Sequence, residues 1–192
     1  MNPQTPREIP CLETPRCLLR LAEPRDAPAM LDYFVRNRAF LAPTSPTWPA
    51  DFFTLEYMQQ RVQRSIDEFE REQSVRLFLF EHRADARVLG TITLDRLHRG
   101  PFQACYMGYA LDQHEQGKGV MHEALQAAIG YAFAECKLHR IMANYMPTNA
   151  RSGALLRRLG FVVEGYARDY LRVDGQWRDH ILTSLTNANW KP

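Results

Sequence analysis

The sequence predicts one α/β domain, and three observations lead to that prediction. The chain has 192 residues, a usual length for a single domain. Its apolar residues follow the period of a helix in some segments and the pattern of a strand in others, without a repeat or a shift in composition. The dipeptide Asp174-Gly175 stands between two segments rich in β-forming residues, which is a strong signal for a hairpin turn.

The first half of the chain predicts one strand and two helices behind a short leader. We expect residues 1–12 to be a loose leader and residues 13–192 to form the domain. Alternating apolar residues predict the strand, apolar residues three and four apart predict the helices, and clustered prolines predict the loop between them. The predicted elements are a strand over Arg16–Leu21, a helix from Pro24 to near Arg38, a loop bearing Trp48 over Leu41–Phe53, and a helix capped by Thr54 that continues through Phe69.

The second half predicts a meander of strands, two more helices and a closing hairpin. The strands of the meander are rich in β-branched and aromatic residues and are separated by short turns. The predicted strands are Val75–Glu81, Val88–Leu97, Phe102–Leu111, Leu138–Tyr145, Phe161–Val173 and Gln176–Thr186. The predicted helices are Gly119–Glu135, which has a broad apolar stripe, and Asn149–Leu159, which is closed by Gly160.

Composition and charge narrow the classes of partner. The 24 lysine and arginine residues nearly balance 22 acidic residues, so no strongly basic surface is visible and we expect no DNA partner. Four irregularly spaced cysteines predict free thiols in a reducing cytosol. The N-terminus has no apolar run, and no segment approaches the roughly 20 apolar residues that span a bilayer. We therefore expect a cytoplasmic protein without a membrane partner.

The segment Gln116–Met121 is the clearest candidate ligand site. It follows a predicted strand, opens a predicted helix and contains Gly117 and Gly119. Glycines let a backbone approach a ligand closely, and the free N–H groups of a helix start favour an anion, so this turn suits a phosphate or pyrophosphate. The spacing is neither that of a Walker A loop nor that of a dinucleotide-binding fold. From these residues alone, a plain strand-to-helix turn is the alternative.

A second segment, Asn149-Ala150-Arg151-Ser152, opens the next helix, which ends in Leu159-Gly160-Phe161. Together with the Gln-Gly-Lys-Gly turn, this order of strand, turn, helix, strand and helix resembles the GNAT N-acetyltransferases. The likeness is closer to their RimJ/RimL group of ribosomal-protein-alanine N-acetyltransferases, and closest to the RimJ branch. It covers nearly the whole chain. The other stretches that carry it are Arg16–Arg20, Asn37-Arg38, Gly100–Tyr106, His139–Pro147 and Asp174–His180.

The resemblance implies an α/β GNAT fold, in which a mixed, mostly antiparallel sheet splays at the acetyl-CoA site and carries helices on both faces. It implies an acyltransferase that uses acetyl-CoA as cosubstrate. The acceptor would be the N-terminal alanine α-amine of a small-subunit ribosomal protein, which attacks the thioester directly in a ternary complex. The partner would be that protein, the ribosome or its assembly intermediate, and the enzyme would be a monomer or homodimer.

The resemblance also assigns roles to residues of the turn and its neighbours. The residues that would hold the pyrophosphate of coenzyme A are Gln116, Gly117, Lys118, Gly119, Val120 and Met121. The pantetheine arm would bond the main chain of Tyr109, Ala110 and Leu111 on one side and Asn149 on the other. Two positions depart from the common GNAT pattern, since Met121 replaces a small residue and Leu156 stands where many members have a tyrosine acid.

Ser152 is the candidate catalytic residue, because it lies one helical turn after Asn149 and matches the serine of this branch. It would protonate or hydrogen-bond the leaving sulfur, and capping of the helix start is the alternative role. Tyr106 is either a proton relay or a packed core tyrosine. Glu164 and Asp169 either bind or deprotonate the amine or are plain surface charges.

Other candidates concern the acceptor side and metal binding. Asn37, Arg38 and the loop with Trp48 would wall the acceptor site by analogy with the family. The acidic run of Asp67, Glu68, Glu70 and Glu72 either steers a basic protein tail or is a solvated helix face. The six histidines form no array typical of a metal site, so we expect no metal.

Three alternatives for the function remain at this point. The same chemistry can act on another protein N-terminus, a peptide antibiotic or a small amine. A non-catalytic ribosome-assembly factor would keep the fold and coenzyme A binding without the reaction. A nucleic-acid module would need a basic face that the charge balance does not display.

Overall fold

The computed structural model describes residues 8–83 and 87–191, and in this part of the chain eight strands form one sheet with five α-helices packed on it. The strands are β1 (Cys11–Glu13), β2 (Leu18–Arg20), β3 (Ser74–Phe80), β4 (Val88–His98), β5 (Ala104–Leu111), β6 (Arg140–Met142), β7 (Val162–Val173) and β8 (Gln176–Thr186). The helices are α1 (Ala27–Arg36), α2 (Arg38–Leu41), α3 (Leu55–Glu70), α4 (Val120–Ala134) and α5 (Ala150–Arg158). Short 3₁₀ turns cover Pro24–Asp26, Ala42–Thr44 and Gln113–Glu115.

The strand order across the sheet is β1-β2-β3-β4-β5-β6-β8-β7. β5 and β6 run parallel, and the other neighbouring strands described are antiparallel. Parallel neighbours need a crossover connection, which α4 supplies between β5 and β6. The predicted α/β class with a mixed, mostly antiparallel sheet is therefore confirmed.

The core consists of two apolar layers, one on each face of the sheet. The alternation is visible along β3, where Val75, Leu77 and Leu79 belong to one layer and Phe78 and Phe80 to the other. The first layer contains the apolar faces of α4 and α5, and the second contains those of α1 and most of α3. Helices thus cover both faces, as predicted.

Two local predictions are confirmed at the ends of elements. Thr54 caps α3, and its hydroxyl accepts a hydrogen bond from the Tyr57 N–H (3.2 Å). Asp174 and Gly175 form the two-residue turn between β7 and β8, with φ angles of +48° and +73°. A type I′ turn requires two such left-handed residues, which explains the strength of the Asp-Gly signal.

Three elements differ from the prediction. β1 pairs with β2 and begins at Cys11, inside the predicted leader, whose residues 1–7 lie outside the described part. α1 ends at Arg36, and the separate helix α2 starts at Arg38, where we predicted a helix end and a loop. β6 occupies three residues of the predicted strand Leu138–Tyr145, because the chain leaves β5 after Met142.

None of the described helices is long and apolar enough to cross a membrane. The four cysteines are free thiols, of which Cys11 is exposed and the other three are buried. Cys105 and Cys136 lie in the apolar layer that contains α4.

Candidate active site

An opening in the sheet separates the C-terminal half of β5 from β6. The two strands pair over three positions, Ala104–Tyr106 with Arg140–Met142. Beyond these pairs the chain after β6 stays bonded to β8, for example through the Ala143 N–H and the Thr183 carbonyl (3.0 Å). β5 instead continues along β4 as far as Leu111. The sheet is therefore splayed, as the resemblance implied.

The main chain of β5 faces β4 and the opening in alternation. The Asp112 N–H donates to a carbonyl of β4 (2.8 Å), so the main chain of Ala110, two residues earlier, also faces β4. In agreement, a Cβ on Gly90 of β4 would lie 2.5 Å from the Ala110 oxygen. The main-chain groups of Tyr109 and Leu111 therefore face the opening. Ala110 departs from the prediction, because its main chain belongs to the ladder with β4.

The predicted phosphate turn lies at the end of the opening, where β5 leads into α4. Gly117 and Gly119 have φ angles of +76° and +83°, a region that glycine enters without strain. A Cβ on Gly117 would meet nothing within 4 Å, so the main chain is accessible there. The N–H groups of Val120 and Met121 precede the first bond of α4, which runs from the His122 N–H to the Gly119 carbonyl (3.1 Å). Such groups are donors for an anion.

The side chains of the turn stabilise its shape. The Gln116 amide donates to the last carbonyl of β5 (3.2 Å), and Lys118 forms an ion pair with Glu115 (3.0 Å). Val120 and Met121 are buried in the core beneath the turn. Because Met121 packs inward, its departure from the usual small residue leaves the N–H groups of the turn free.

Arg16 and Glu123 brace the start of α4. The Arg16 guanidinium pairs with the Glu123 carboxylate (3.1 Å), which also accepts from the Arg16 N–H (3.0 Å) and the Thr14 hydroxyl (3.1 Å). A Cβ on Gly119 would lie 2.8 Å from the Arg16 Nη1. The sequence analysis did not single out these contacts, since more than 100 residues separate Arg16 from Glu123.

A buried carboxylate anchors the turn to α1. Asp112 is fully buried and accepts hydrogen bonds from Arg36 Nε (2.7 Å), the His114 N–H (2.8 Å) and Asn37 Nδ2 (3.1 Å). Burial opposes ionisation, but these hydrogen bonds outweigh it and lower the pKa of Asp112. Asn37 also accepts from the Gln113 N–H (3.0 Å) and is itself fully buried. It therefore supports the predicted phosphate turn, whereas we expected it to wall the acceptor site.

Ser152 and Asn149 lie at the start of α5, across the opening from β5. The Asn149 side chain caps the helix by accepting from the Ser152 N–H (3.1 Å), so capping belongs to Asn149 and not to Ser152. The Ser152 hydroxyl is instead 2.7 Å from the Tyr109 hydroxyl. Burial is the largest cause that raises the pKa of this phenol to about 12. Leu156, at the usual position of the tyrosine acid, is buried in the core.

Tyr106 belongs to a polar cluster near the N-terminal end of the opening. The hydroxyl of Tyr170 in β7 accepts from Asn144 Nδ2 (2.9 Å), and Tyr106 is one of the neighbours that raise the pKa of Tyr170. Burial, more than its neighbours, raises the pKa of Tyr170. Tyr106 is half-buried.

The loop with Trp48 meets the tip of the β7–β8 hairpin. The Asp174 N–H donates to the Ser45 carbonyl (3.0 Å), and Trp48 stacks on Phe52 with ring centroids 5.3 Å apart. A cavity of about 290 Å³ lies between loop and hairpin. It is lined by Arg38, Ala42, Ser45, Pro46, Thr47, Trp48, Pro49, Ala50, Phe53 and Asp174. The predicted aromatic loop and Arg38 therefore share one concave surface.

The acidic candidates have local partners. Glu164 forms an ion pair with Arg140, which is the main reason that its pKa is lowered. Asp169, in the left-handed region with φ of +48°, donates its N–H to Asp179 Oδ1 (2.9 Å).

The acidic run at the end of α3 also has local partners. Glu68 accepts from Ser74 and Arg76. In that run, Asp67 accepts from Gln63, and Glu72 pairs with Arg99.

Within residues 8–83 and 87–191, no group of three or more His, Cys, Asp and Glu side chains is arranged to hold a metal.

Comparison with known proteins agrees with this geometry. The family model of the acetyltransferase (GNAT) domain matches residues 16–162. The ribosomal protein uS5-alanine N-acetyltransferase of Escherichia coli K12 is 46% identical over 181 residues, which are 94% of this chain and 93% of that protein. The structure of the ribosomal-protein-S5-alanine acetyltransferase from Vibrio fischeri superposes with a TM-score of 0.90 and 38% identity, covering 95% of this chain and 100% of that one. RimJ of Mycobacterium smegmatis, solved in complex with CoA-disulfide, gives a TM-score of 0.86 and 26% identity, with coverages of 100% and 93%.

Proposed function

This chain belongs to the GNAT family of acetyltransferases, and from that membership we propose that it acetylates the N-terminal alanine of the small-subunit ribosomal protein uS5. The observation that carries the proposal is the 46% identity with the enzyme of that name over 94% of this chain. The acetyl donor is acetyl-CoA. The acceptor is a ribosomal protein, either alone or within the ribosome or a ribosome assembly intermediate. The reaction therefore takes place in the cytoplasm.

Acetyl-CoA fits the residues around the opening and supplies an acetyl group activated as a thioester. The N–H groups that follow Gly117 and Gly119 bind the pyrophosphate, helped by the positive end of the α4 dipole. The main chain of Tyr109 and Leu111 lies along the pantetheine arm on one side, and Asn149 on the other. The accessible main chain at Gly117, with nothing within 4 Å of an added Cβ, supports this fit.

The reaction is a direct attack in a ternary complex. The amine nitrogen of the acceptor bonds to the thioester carbonyl carbon, the carbon–sulfur bond breaks, and its electron pair stays on the sulfur. Ser152, at the start of α5, donates a hydrogen bond to that sulfur. Positioning of the two substrates supplies much of the acceleration, and acid–base help adds about 10² to 10⁴.

The acidity of an α-amine favours an N-terminal acceptor. Its pKa is about 7.7 to 8, so roughly a tenth is neutral at pH 7, whereas a lysine amine near 10.4 is neutral less than about a thousandth of the time. Glu164 is occupied by Arg140, and the main chain of Asp169 is tied to Asp179. An acceptor that is already partly neutral needs only weak assistance to lose its proton.

Acetylation of synthetic peptides tests the proposed function. Purified protein and acetyl-CoA are incubated with a peptide that has the N-terminal sequence of uS5 from the same organism, and acetyl groups are located by tandem mass spectrometry. We expect one acetyl group on the α-amine and none on a peptide whose α-amine is blocked but whose lysines are free. Acetylation of lysine without the α-amine would contradict the proposal.

Measuring acetylation in cells distinguishes the proposed enzyme from the alternative, a non-catalytic assembly factor. A Ser152→Ala variant is expected to leave most uS5 unacetylated, as seen by intact-mass measurement of ribosomal proteins. If that variant abolishes acetylation but fully supports ribosome assembly and growth, whereas deletion of the gene does not, the cellular role lies in binding and not in the reaction.

A further inference from the structure

A hydrogen bond between Tyr109 and Ser152 joins β5 to α5 across the opening. The two hydroxyl oxygens are 2.7 Å apart, although 43 positions separate the residues in sequence. The Tyr109 main chain faces the same opening, so one residue presents its backbone to the opening and its side chain to the candidate catalytic serine. The resemblance to the family assigns a role to the main chain of Tyr109 and none to its phenol.

The direction of this hydrogen bond decides what Ser152 can do. A serine hydroxyl carries one hydrogen, so a serine that donates to Tyr109 has none left for a sulfur atom. A phenol is more acidic than an alkyl hydroxyl and is the better donor of the pair. Burial raises the pKa of Tyr109 to about 12, so its proton is present throughout the neutral range.

With Tyr109 as the donor, the hydroxyl hydrogen of Ser152 is free for another partner. Its main-chain N–H is taken by the Asn149 side chain (3.1 Å), which fixes the first turn of α5. Tyr109 then satisfies one lone pair of the Ser152 oxygen and restricts the rotation of the hydroxyl. Hydrogen bonds in a chain polarise one another, so a donor behind Ser152 makes it a stronger donor in turn.

We propose that Tyr109 is a positioning residue, whose phenol donates to Ser152 Oγ and thereby directs the serine hydroxyl at the sulfur of coenzyme A. This inference rests on the proposed function. When the carbon–sulfur bond breaks and its electron pair moves to sulfur, Ser152 donates a hydrogen bond to the developing thiolate. The proton lost by the amine passes through solvent and ends on coenzyme A as its thiol. Tyr109 keeps its own proton and acts through Ser152 alone.

A double-mutant cycle tests this role. The enzymes compared are wild type, Tyr109→Phe, Ser152→Ala and the double variant. Phenylalanine retains the ring and the main chain of residue 109 and removes one hydroxyl, so the variant is expected to fold. Thermal unfolding of each variant checks this directly. Tyr33→Phe is the matched control, because the Tyr33 hydroxyl is buried in the other apolar layer and makes no hydrogen bond among the described residues.

We expect Tyr109→Phe to lower kcat about tenfold and Ser152→Ala about a hundredfold, within the range of acid–base assistance. KM for acetyl-CoA should stay within about twofold, because the main-chain contacts remain. The double variant should have the kcat of Ser152→Ala, since Tyr109 acts only through the serine. Tyr33→Phe should keep the wild-type kcat.

Two results would overturn the inference. One is an unchanged kcat in Tyr109→Phe, and the other is a double variant whose loss equals the product of the two single losses. A purely structural hydroxyl would lower the unfolding temperature without the split between kcat and KM. If wild type itself acetylates no peptide, the proposed function fails instead, so the two failures are distinguishable.

Discussion

The two sides of the opening are built by different means. On the side assigned to the cosubstrate under the proposed function, the turn before α4 offers main-chain N–H groups, and Asp112 beneath it is fully buried and held by Arg36 and Asn37. On the side assigned to the acceptor, the β7–β8 hairpin offers side chains, and Tyr166 and Trp177 are 59% and 62% exposed. The first side is therefore a main-chain site with a buried base, and the second is a surface of exposed side chains.

This difference matches what each side would recognise under the proposed function. Acetyl-CoA always presents the same phosphates and amides, and a main-chain frame buried at its base holds them in one geometry. An acceptor protein presents a sequence, which side chains distinguish. A substitution should therefore change stability and cofactor affinity on the first side, and acceptor affinity on the second.

The largest difference in the free energy of unfolding is expected between substitutions of two carboxylates, one on each side of the opening. Asp112→Ala leaves Arg36 and Asn37 without their buried partner and should lower the free energy of unfolding by about 3 kcal/mol. Glu164→Ala breaks the solvent-exposed pair with Arg140 and should cost at most about 1 kcal/mol. Urea denaturation of both variants measures this. Equal losses would mean that the two sides do not differ in rigidity.

A second comparison uses two left-handed glycines. Alanine at either position costs about 1–2 kcal/mol of backbone strain. Gly119→Ala also places a Cβ against Arg16, and it should raise KM for acetyl-CoA about tenfold. Gly175→Ala, at the hairpin tip with open space around it, should leave that KM unchanged. Adding Arg16→Ala to Gly119→Ala shows how much of the rise comes from the contact.

A smaller effect is expected at the aromatic loop. Trp48 lines the cavity beside the hairpin tip, so Trp48→Ala should raise KM for the peptide acceptor about fivefold, the loss of roughly 1 kcal/mol of contact. KM for acetyl-CoA should not change. Phe102→Ala, which removes an exposed aromatic ring outside the cavity lining, is the control. If both variants weaken peptide binding equally, the cavity is not part of the acceptor site.

The smallest effect is a dependence of stability on pH. Because the folded protein lowers the pKa of Asp112, this group stabilises the fold above the pKa of an unfolded aspartate, about 3.9, and loses that contribution as pH falls further. An Asp112→Asn variant lacks this titration. The difference in unfolding free energy between wild type and variant should therefore shrink between pH 5 and pH 3, as denaturant titrations at each pH would measure. A constant difference would contradict the role of the carboxylate.

The sequence predicts more of the fold than of the site. Long periodic segments such as α3 and the hairpin around Asp174-Gly175 were predicted because each carries a local signal. β1 was missed because three residues show no alternation, and β6 was predicted too long because nothing local marks where the chain leaves β5. The main-chain direction of Ala110 depends on its pairing with β4, and the partner of Ser152 is 43 residues away, so neither follows from a motif.

The pairing of β5 with β6, which covers only three positions among the described residues, has a consequence for the motion of the sheet. An amide exchanges its hydrogen with solvent while its hydrogen bond is open, and the N–H groups of Tyr109 and Leu111 border a ladder that the chain leaves unfinished. Pantetheine carries two amides of its own. Under the proposed function it completes that ladder as a ninth strand would, so the sheet exchanges hydrogen as two halves without cosubstrate and as one body with it.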